Sequence, residues 1–224
     1  MKTFKFASLI LAIIYLGLYN QDVLSQNPTE DFVESIMQGD LAAVEKAIDD
    51  GMDVNMAQNN RTTPLMYAIY GSNMDMVELL ISKGADVTLS TEKGGDALNV
   101  AAAMGNVEIC AMFLESGADI EAADNEGKTP FINAVYNKKY ELAGYLIEKG
   151  ADLNAKEGNG WSALMFASMG GATECVKMLI MAGADVNCKT NEGETPLQRA
   201  EEIQEAGLGD YKEIIEVLKG AGGE

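Results

Sequence analysis

The chain has 224 residues, a formal net charge of −19 and no histidine. Because phosphate binding needs clustered lysine and arginine side chains, this charge argues against DNA, RNA and anionic membrane surfaces as partners. The absence of histidine excludes His-based catalytic triads and His-ligated zinc sites. We attribute the negative charge to solubility, with electrostatic attraction of a basic partner as the alternative.

The first 25 residues have the features of an export signal. Two lysines precede an uninterrupted apolar run over residues 6–19, which is shorter than the roughly 20 apolar residues that a membrane-spanning helix needs. Val23 and Ser25 are small enough for the positions that a signal peptidase reads, so we expect cleavage before Gln26. An uncleaved N-terminal anchor is the alternative. No cysteine follows the apolar run, so a lipoprotein anchor is not supported.

The rest of the chain is an internal repeat with a period of 33 residues. A pattern of the type Thr-Pro-Leu-x-x-Ala begins at Thr63, Asp96, Thr129, Ser162 and Thr195. A Gly-x-Asp pattern keeps the same period from Gly51, Gly84, Gly117, Gly150 and Gly183. This period and start resemble the ankyrin repeat over roughly residues 29–224. The resemblance implies an all-α solenoid of stacked helix-turn-helix units with hairpin-like fingers, whose usual role is to bind other proteins.

Side-chain chemistry explains the repeated positions. Thr63 suits the N-cap of a first helix, and Pro64 suits the next position, where its missing N–H costs nothing. Two glycine columns, one after each second helix and one in each finger, are expected at positive φ. Arg61 interrupts the finger column, which predicts a less regular first finger. Gly150→Val should destabilise the array.

The two ends of the array differ from the middle. Thr29 is the predicted N-cap of the first helix, and six extra residues fall around 206–210 in the last unit. Polar outer sides at both ends predict capping repeats. The predicted organisation is a signal peptide over 1–25, an N-terminal capping repeat with linker over 26–60, four full repeats over 61–192 and a C-terminal capping repeat over 193–224.

Cysteine, methionine and carboxylate side chains do not form a recognisable catalytic or metal-binding pattern. The spacing of the three cysteines argues against disulfides. Cys110 is expected to be a buried small hydrophobe, and Cys188, at the start of a finger, is the cysteine whose thiol is expected to be exposed. The 13 methionines raise Cu(I) handling as an alternative, but several occupy helical positions held elsewhere by ordinary hydrophobes. We therefore expect no catalytic residues, no metal and no cofactor.

The resemblance implies that finger tips and the exposed ends of first helices contact the partner. Trp161 is the only tryptophan, and Trp and Tyr are the side chains most enriched in binding hot spots. In the alternative, Trp161 folds onto its own finger and the tyrosines cover contacts between repeats. The predicted partner-binding residues are Tyr70, Met104, Lys128, Tyr136, Trp161 and Met169, with Thr62 and Glu194 as further finger-tip positions.

The sequence therefore predicts an exported, non-enzymatic and monomeric protein that binds another protein on its concave face, and that contacts no membrane after leader cleavage. The bacterial periplasm is the favoured location, because repeat proteins of this family with such a leader resemble bacterial envelope proteins; eukaryotic secretion is the alternative. Three other functions stay open: a metal-handling protein that uses methionine or carboxylate side chains, a hydrolase of the cell envelope, and a self-associating structural component.

Overall fold

The computed structural model describes residues 27–224. The predicted export signal, its cleavage site and the alternative anchor lie outside the described residues. Within them the protein is all-α, and the predicted fold of stacked helix pairs is confirmed. The twelve α-helices of the described part are α1 (Pro28–Gln38), α2 (Leu41–Asp49), α3 (Pro64–Tyr70), α4 (Met74–Ser82), α5 (Ala97–Met104), α6 (Val107–Glu115), α7 (Pro130–Tyr136), α8 (Tyr140–Glu148), α9 (Ala163–Met169), α10 (Thr173–Met181), α11 (Pro196–Glu205) and α12 (Lys212–Gly220).

The helices stack in two rows. The odd-numbered first helices contact one another in sequence along the array, and each packs on the second helix of its own pair. At 7 to 11 residues these helices are too short to be stable alone, so their stability comes from packing between pairs. The apolar side chains of all six pairs form one continuous buried cluster along the array.

Each first helix of the repeat pattern begins as predicted. The side chains of Thr63, Asp96, Thr129, Ser162 and Thr195 accept hydrogen bonds from backbone amides in the first turns of α3, α5, α7, α9 and α11. Such caps satisfy amides that have no partner inside the helix. The first helix of the array is an exception, because Asn27 and not Thr29 caps α1, with Pro28 as its first residue. The prediction of Thr29 as N-cap was wrong by two residues.

Both glycine columns adopt the predicted backbone conformation. The column after the second helices has φ between 89° and 106°, and the finger column from Gly94 to Gly193 has φ between 81° and 88°. The first finger is irregular, as predicted from Arg61. Asn60 and Arg61 both have a φ of 59° there, within a short 3-10 turn at Asn59–Arg61.

The extra length of the last pair is divided between a helix and a connection. Helix α11 has 10 residues where α9 has 7, and residues 206–211 connect α11 to α12 where only residues 170–172 connect α9 to α10. Three of the six extra residues therefore extend the helix and three lengthen the loop. Tyr211 in that loop donates a hydrogen bond from its hydroxyl to the Met169 carbonyl at 2.5 Å, which fastens the last pair to the one before it.

One buried hydroxyl in the core has no partner. Ser168 in α9 is fully buried, and its Oγ forms no hydrogen bond within the described residues. The equivalent positions of α5 and α7 hold Ala102 and Val135. We expect Ser168→Ala to raise the free energy of unfolding by about 1 kcal/mol, because it removes a polar group that lost its water on folding.

Urea unfolding followed by far-UV circular dichroism measures this change. Ser162→Ala is the matched control in the same helix, because its hydroxyl caps α9 and its loss should cost about 0.5–2 kcal/mol. A destabilised Ser168→Ala variant would mean that the hydroxyl has a partner after all.

Candidate functional site

The fingers place side chains at fixed positions beside the first helices. The four regular finger turns are residues 91–95, 124–128, 157–161 and 190–194. In each, the backbone amide of the first residue donates a hydrogen bond of 3.0 Å to the carbonyl of the fifth. In three of these turns the side chain of the first residue also accepts hydrogen bonds from backbone amides. In the turn that begins at Glu157, for example, this side chain accepts the amides of Asn159 and Trp161 at 2.9 and 3.1 Å. Neighbouring fingers are linked as well, for example by the Gly158 amide to the Glu126 carbonyl at 2.7 Å. The tips are therefore a rigid platform.

Three aromatic side chains meet between this platform and the first helices. The rings of Tyr136 and Phe166 pack edge to face with centroids 5.2 Å apart. The Trp161 and Phe166 rings lie 5.3 Å apart in a tilted arrangement. Contacts of this geometry are favourable beyond the area that they bury. We call Tyr136, Trp161 and Phe166 the aromatic cluster; it joins the end of α7 to the finger and helix of the next pair.

A cation covers each end of the aromatic cluster. Lys128 Nζ lies 4.3 Å from the centroid of the Tyr136 ring, and the Arg199 guanidinium lies 5.5 Å from the centroid of the Trp161 ring. Both distances fall within the range of cation–π attraction. The two cations come from the preceding finger and from α11, so the cluster is held together by three consecutive helix pairs.

The charges of these cations are already balanced. Lys128 Nζ lies 2.6 Å from Glu126 Oε2, and Arg199 Nη1 lies 2.8 Å from Glu202 Oε2 and 3.3 Å from Glu194 Oε1. Burial is the largest single influence on Lys128 and opposes its charged form. The hydrogen bond to Glu126 and the charges of Glu126, Tyr136 and Asp124 together outweigh it, so the pKa of Lys128 is raised. The cluster therefore presents aromatic faces bordered by neutralised ion pairs and not a strongly charged surface.

A buried polar network fixes the finger that carries Lys128. Asn133 Nδ2 in α7 donates to Asn99 Oδ1 in α5 at 2.9 Å, and Asn99 Nδ2 donates to the Ala122 carbonyl at 2.7 Å. Asp96 caps α5 beside them, and its burial raises its pKa although the amide of Asn99 favours the charged form. These bonds tie two first helices to one finger, which limits the movement of Lys128 relative to Tyr136.

The structure brings together three of the six predicted binding residues. Lys128, Tyr136 and Trp161 belong to the aromatic cluster or its border, whereas Tyr70 and Met104 stand exposed at the ends of α3 and α5. Met169 is half-buried at the end of α9, and the finger-tip position Thr62 is buried. Trp161 is half-buried too, because its ring rests on Phe166 and does not project as a free tip. The six residues remain a prediction, since no bound partner tests them.

Sequence reasoning missed Phe166 and Arg199. Both occupy the fifth position of the repeated pattern and are half-buried beside Trp161. The sequence offers only a weak signal: the side chain in this column differs from unit to unit, while the sixth position is always alanine. Its members are Tyr67, Val100, Asn133, Phe166 and Arg199.

The expectation that Cys188 is an exposed thiol was wrong, because all three cysteines are buried. Cys188 is only 4% exposed, because the finger that it begins packs against the start of α9 and places its Sγ 3.1 Å from Ser162 Oγ. Burial raises the pKa of the Cys188 thiol. Cys110 is buried as predicted, and its pKa and that of Cys175 are raised by burial to about 12. All three cysteines are free, and burial makes their thiols poor nucleophiles.

Residues 27–224 contain no group of three or more His, Cys, Asp or Glu side chains placed to hold a metal ion. None of the helices between Pro28 and Gly220 combines the length and apolar character needed to cross a bilayer.

Comparison of the sequence with models of protein families gives a match to the family described as ankyrin repeats (3 copies). The matched segments are residues 11–91, 32–124, 89–157 and 131–222, which overlap and together extend over most of the chain. A search of curated proteins gives no match. Ankyrin repeats generally mediate protein–protein interaction.

Proposed function

The chain belongs to the ankyrin-repeat family, and we propose from this premise that it binds another protein through the groove between its fingers and first helices. The partner contacts the aromatic cluster of Tyr136, Trp161 and Phe166 together with the apolar side chains Tyr70 and Met104. Met169 and the aliphatic stem of Lys128 lie at the border of this contact.

The aromatic cluster is the observation that carries the proposal. Tyr136 is 50% exposed although it is large and mostly apolar, and its ring packs edge to face against Phe166, which also contacts Trp161. Tyr, Trp and Arg are the side chains most enriched in binding hot spots, and here two rings and Arg199 are fixed before binding. Binding of a partner to these side chains costs little conformational entropy, because the finger hydrogen bonds and the ring contacts already restrict their movement.

The proposal includes a non-enzymatic role without metal or cofactor, in a monomeric and exported protein. The family's general function and the absence of histidine support the first part. The lysine-flanked apolar run of residues 6–19 and the small residues before Gln26 support export, with the bacterial periplasm as the favoured location.

The test starts with the wild-type array, residues 26–224, used to isolate a partner from the envelope or secreted fraction of the source cells. The partner is then purified and titrated against Trp161→Ala with Tyr136→Ala. We expect this double substitution to cost at least about 2 kcal/mol of binding free energy, a loss of roughly 30-fold in affinity.

Met181→Ala is the control, because Met181 is 87% exposed at the end of the second helix α10, outside the cluster and the first-helix ends. It should leave the affinity unchanged. Far-UV circular dichroism has to show that both variants keep the fold. An unchanged dissociation constant for a folded Trp161→Ala, Tyr136→Ala variant would refute the proposed site.

A further inference from the structure

A row of exposed apolar side chains follows the ends of four consecutive first helices. Met37, Tyr70, Met104 and Tyr136 are exposed by 43, 43, 38 and 50%, and each is the last or next-to-last residue of its helix. We call these four residues the apolar ridge. Met37, Tyr70 and Tyr136 occupy the same position of the 33-residue repeat, and Met104 lies one residue beyond it, so all four lie on the same edge of successive helix pairs. Single exposed hydrophobic residues need no explanation, but several of them along one edge favour an interaction surface.

A row of carboxylates runs beside the apolar ridge. Asp75, Glu108 and Glu141 lie in the first turns of α4, α6 and α8, immediately after the loops that follow the ridge residues. All three are exposed, and none forms an ion pair within residues 27–224. The helix dipole favours acidic residues at this position, but it does not explain why no lysine neutralises them.

The ridge and the carboxylates meet in one shallow depression. Met104, Glu108 and Glu141 line it together with Ser72 and the start of α6, and its volume is about 320 Å³. An apolar side chain and two unpaired carboxylates therefore face the same space. This combination suits a cationic side chain with a long aliphatic stem, such as lysine or arginine, whose stem contacts the methionine while its charge meets the carboxylates.

The lysines of this edge do not remove its negative charge. Lys177 bridges Glu174 and Glu213 at 2.8 and 2.7 Å, which neutralises the end of the row near the last pair. The aliphatic part of the Lys139 side chain packs directly on Gly105. A Cβ added to this glycine would lie 2.5 Å from Lys139 Cδ. The ammonium groups of Lys139 and the adjacent Lys138 form no ion pair within the described part of the chain, so their two positive charges offset two of the three negative charges of Asp75, Glu108 and Glu141. One net negative charge therefore remains along this edge, beside Tyr70, Met104 and Tyr136.

We propose that the apolar ridge and its carboxylate row receive a cationic amphipathic α-helix of the partner protein. The inference rests on the proposed function and specifies the chemistry of the partner. Complementary charge supports a cationic segment, because the protein as a whole carries a net charge of −19.

A helix suits this edge better than an extended segment. Extended peptides bind mainly by adding a strand to the edge of a sheet, and residues 27–224 offer only an isolated bridge between Lys156 and Ser162, in a finger. A helix satisfies its own backbone hydrogen bonds and needs only side-chain contacts. Packed helices lie about 8–10 Å apart, so successive repeats of the array are separated by about this distance along the ridge. Seven residues of an α-helix advance about 10.5 Å, which is similar. A helix bound along the ridge therefore presents every seventh residue to successive repeats.

The experiment uses two fluorescent helical peptides of about three heptads, with leucines repeated every seventh residue along one face. One peptide has lysines flanking the leucines, and the other has glutamates at the same positions. Dissociation constants are measured by fluorescence anisotropy with residues 26–224 at low and at high ionic strength. We expect the lysine peptide to bind at least about tenfold more tightly than the glutamate peptide at low salt, with a smaller difference at high salt.

Two variants locate the binding site. Glu108→Gln with Glu141→Gln should weaken binding of the lysine peptide by about three- to tenfold. Glu115→Gln with Glu148→Gln is the matched control: it makes the same charge change in the last turns of the same two helices and should change the affinity less than about twofold. Met104→Ser should also weaken binding of the lysine peptide, because it removes the apolar side chain that lines the depression beside Glu108 and Glu141.

Equal weakening by the two pairs of substitutions would overturn the inference, because it would indicate general attraction to a negative chain. Equal affinity for the two peptides, or no binding of either, would overturn it too. The proposed function fails separately, when Trp161→Ala with Tyr136→Ala leaves binding of the isolated partner unchanged. Loss of that partner in the aromatic variant, with no loss in Glu108→Gln, Glu141→Gln, would retain the proposed function and reject the cationic helix.

Discussion

Replacing Phe113 by alanine is expected to lower the free energy of unfolding by about 3–5 kcal/mol. Phe113 is fully buried in α6, near the middle of the array, where its ring belongs to the apolar cluster that runs through all helix pairs. Alanine would leave a cavity that neighbouring side chains fill only in part. Because each pair is stabilised only by its neighbours, weakening a central pair separates the array into two weaker halves. Urea unfolding followed by circular dichroism should show a lower midpoint.

Phe113→Leu is the control for cavity size. The equivalent positions of α4, α8 and α10 hold Leu80, Leu146 and Leu179, all fully buried, so the fold accepts leucine at this position. We expect a cost of about 1 kcal/mol, well below that of alanine. Equal losses for leucine and alanine would contradict the explanation from cavity volume.

Replacing Gly160 by valine is expected to cost about 3–5 kcal/mol of stability. Gly160 has a φ of +85°, a region that β-branched residues avoid. A Cβ there would also lie 2.7 Å from the backbone nitrogen of Asn191, which is held by its 2.9 Å hydrogen bond to the Asn159 carbonyl. The substitution therefore adds strain and pushes two adjacent fingers apart beside Trp161. Thermal unfolding measures the loss.

Gly150→Val separates the two causes. Gly150 has nearly the same φ, +89°, but a Cβ there would meet no atom within 4 Å. It should cost only the backbone strain, about 1–3 kcal/mol. A Gly160→Val variant no less stable than Gly150→Val would show that the contact between fingers contributes nothing.

The repeated parts of the fold were predictable because their causes are local. Thr63 caps a helix through its own hydroxyl, and Gly150 adopts a positive φ because it lacks a Cβ. In both cases the residue type predicts the backbone conformation at its own position. The period of 33 residues then places the units beside one another. The first helix lies outside this pattern, and there the choice of Thr29 over Asn27 as N-cap was wrong.

The candidate site was predictable only in part because its contacts cross between repeats. Lys128 and Trp161 were recognised from their finger positions, but the rings that they contact lie in other elements. Phe166 joins Tyr136 to Trp161 across two helix pairs, and no spacing within one unit reveals that contact. Cys188 is buried for the same reason, since a neighbouring unit covers it.

The central claim, that the groove holds the partner, is tested most directly by site-specific photo-crosslinking in the source cells. A benzophenone amino acid replaces Tyr136 in the aromatic cluster or Met181 at the end of α10, two exposed apolar positions on different surfaces. We expect irradiation to give one discrete adduct with the partner from position 136 and none from position 181. An adduct from position 181 with none from position 136 would contradict the account.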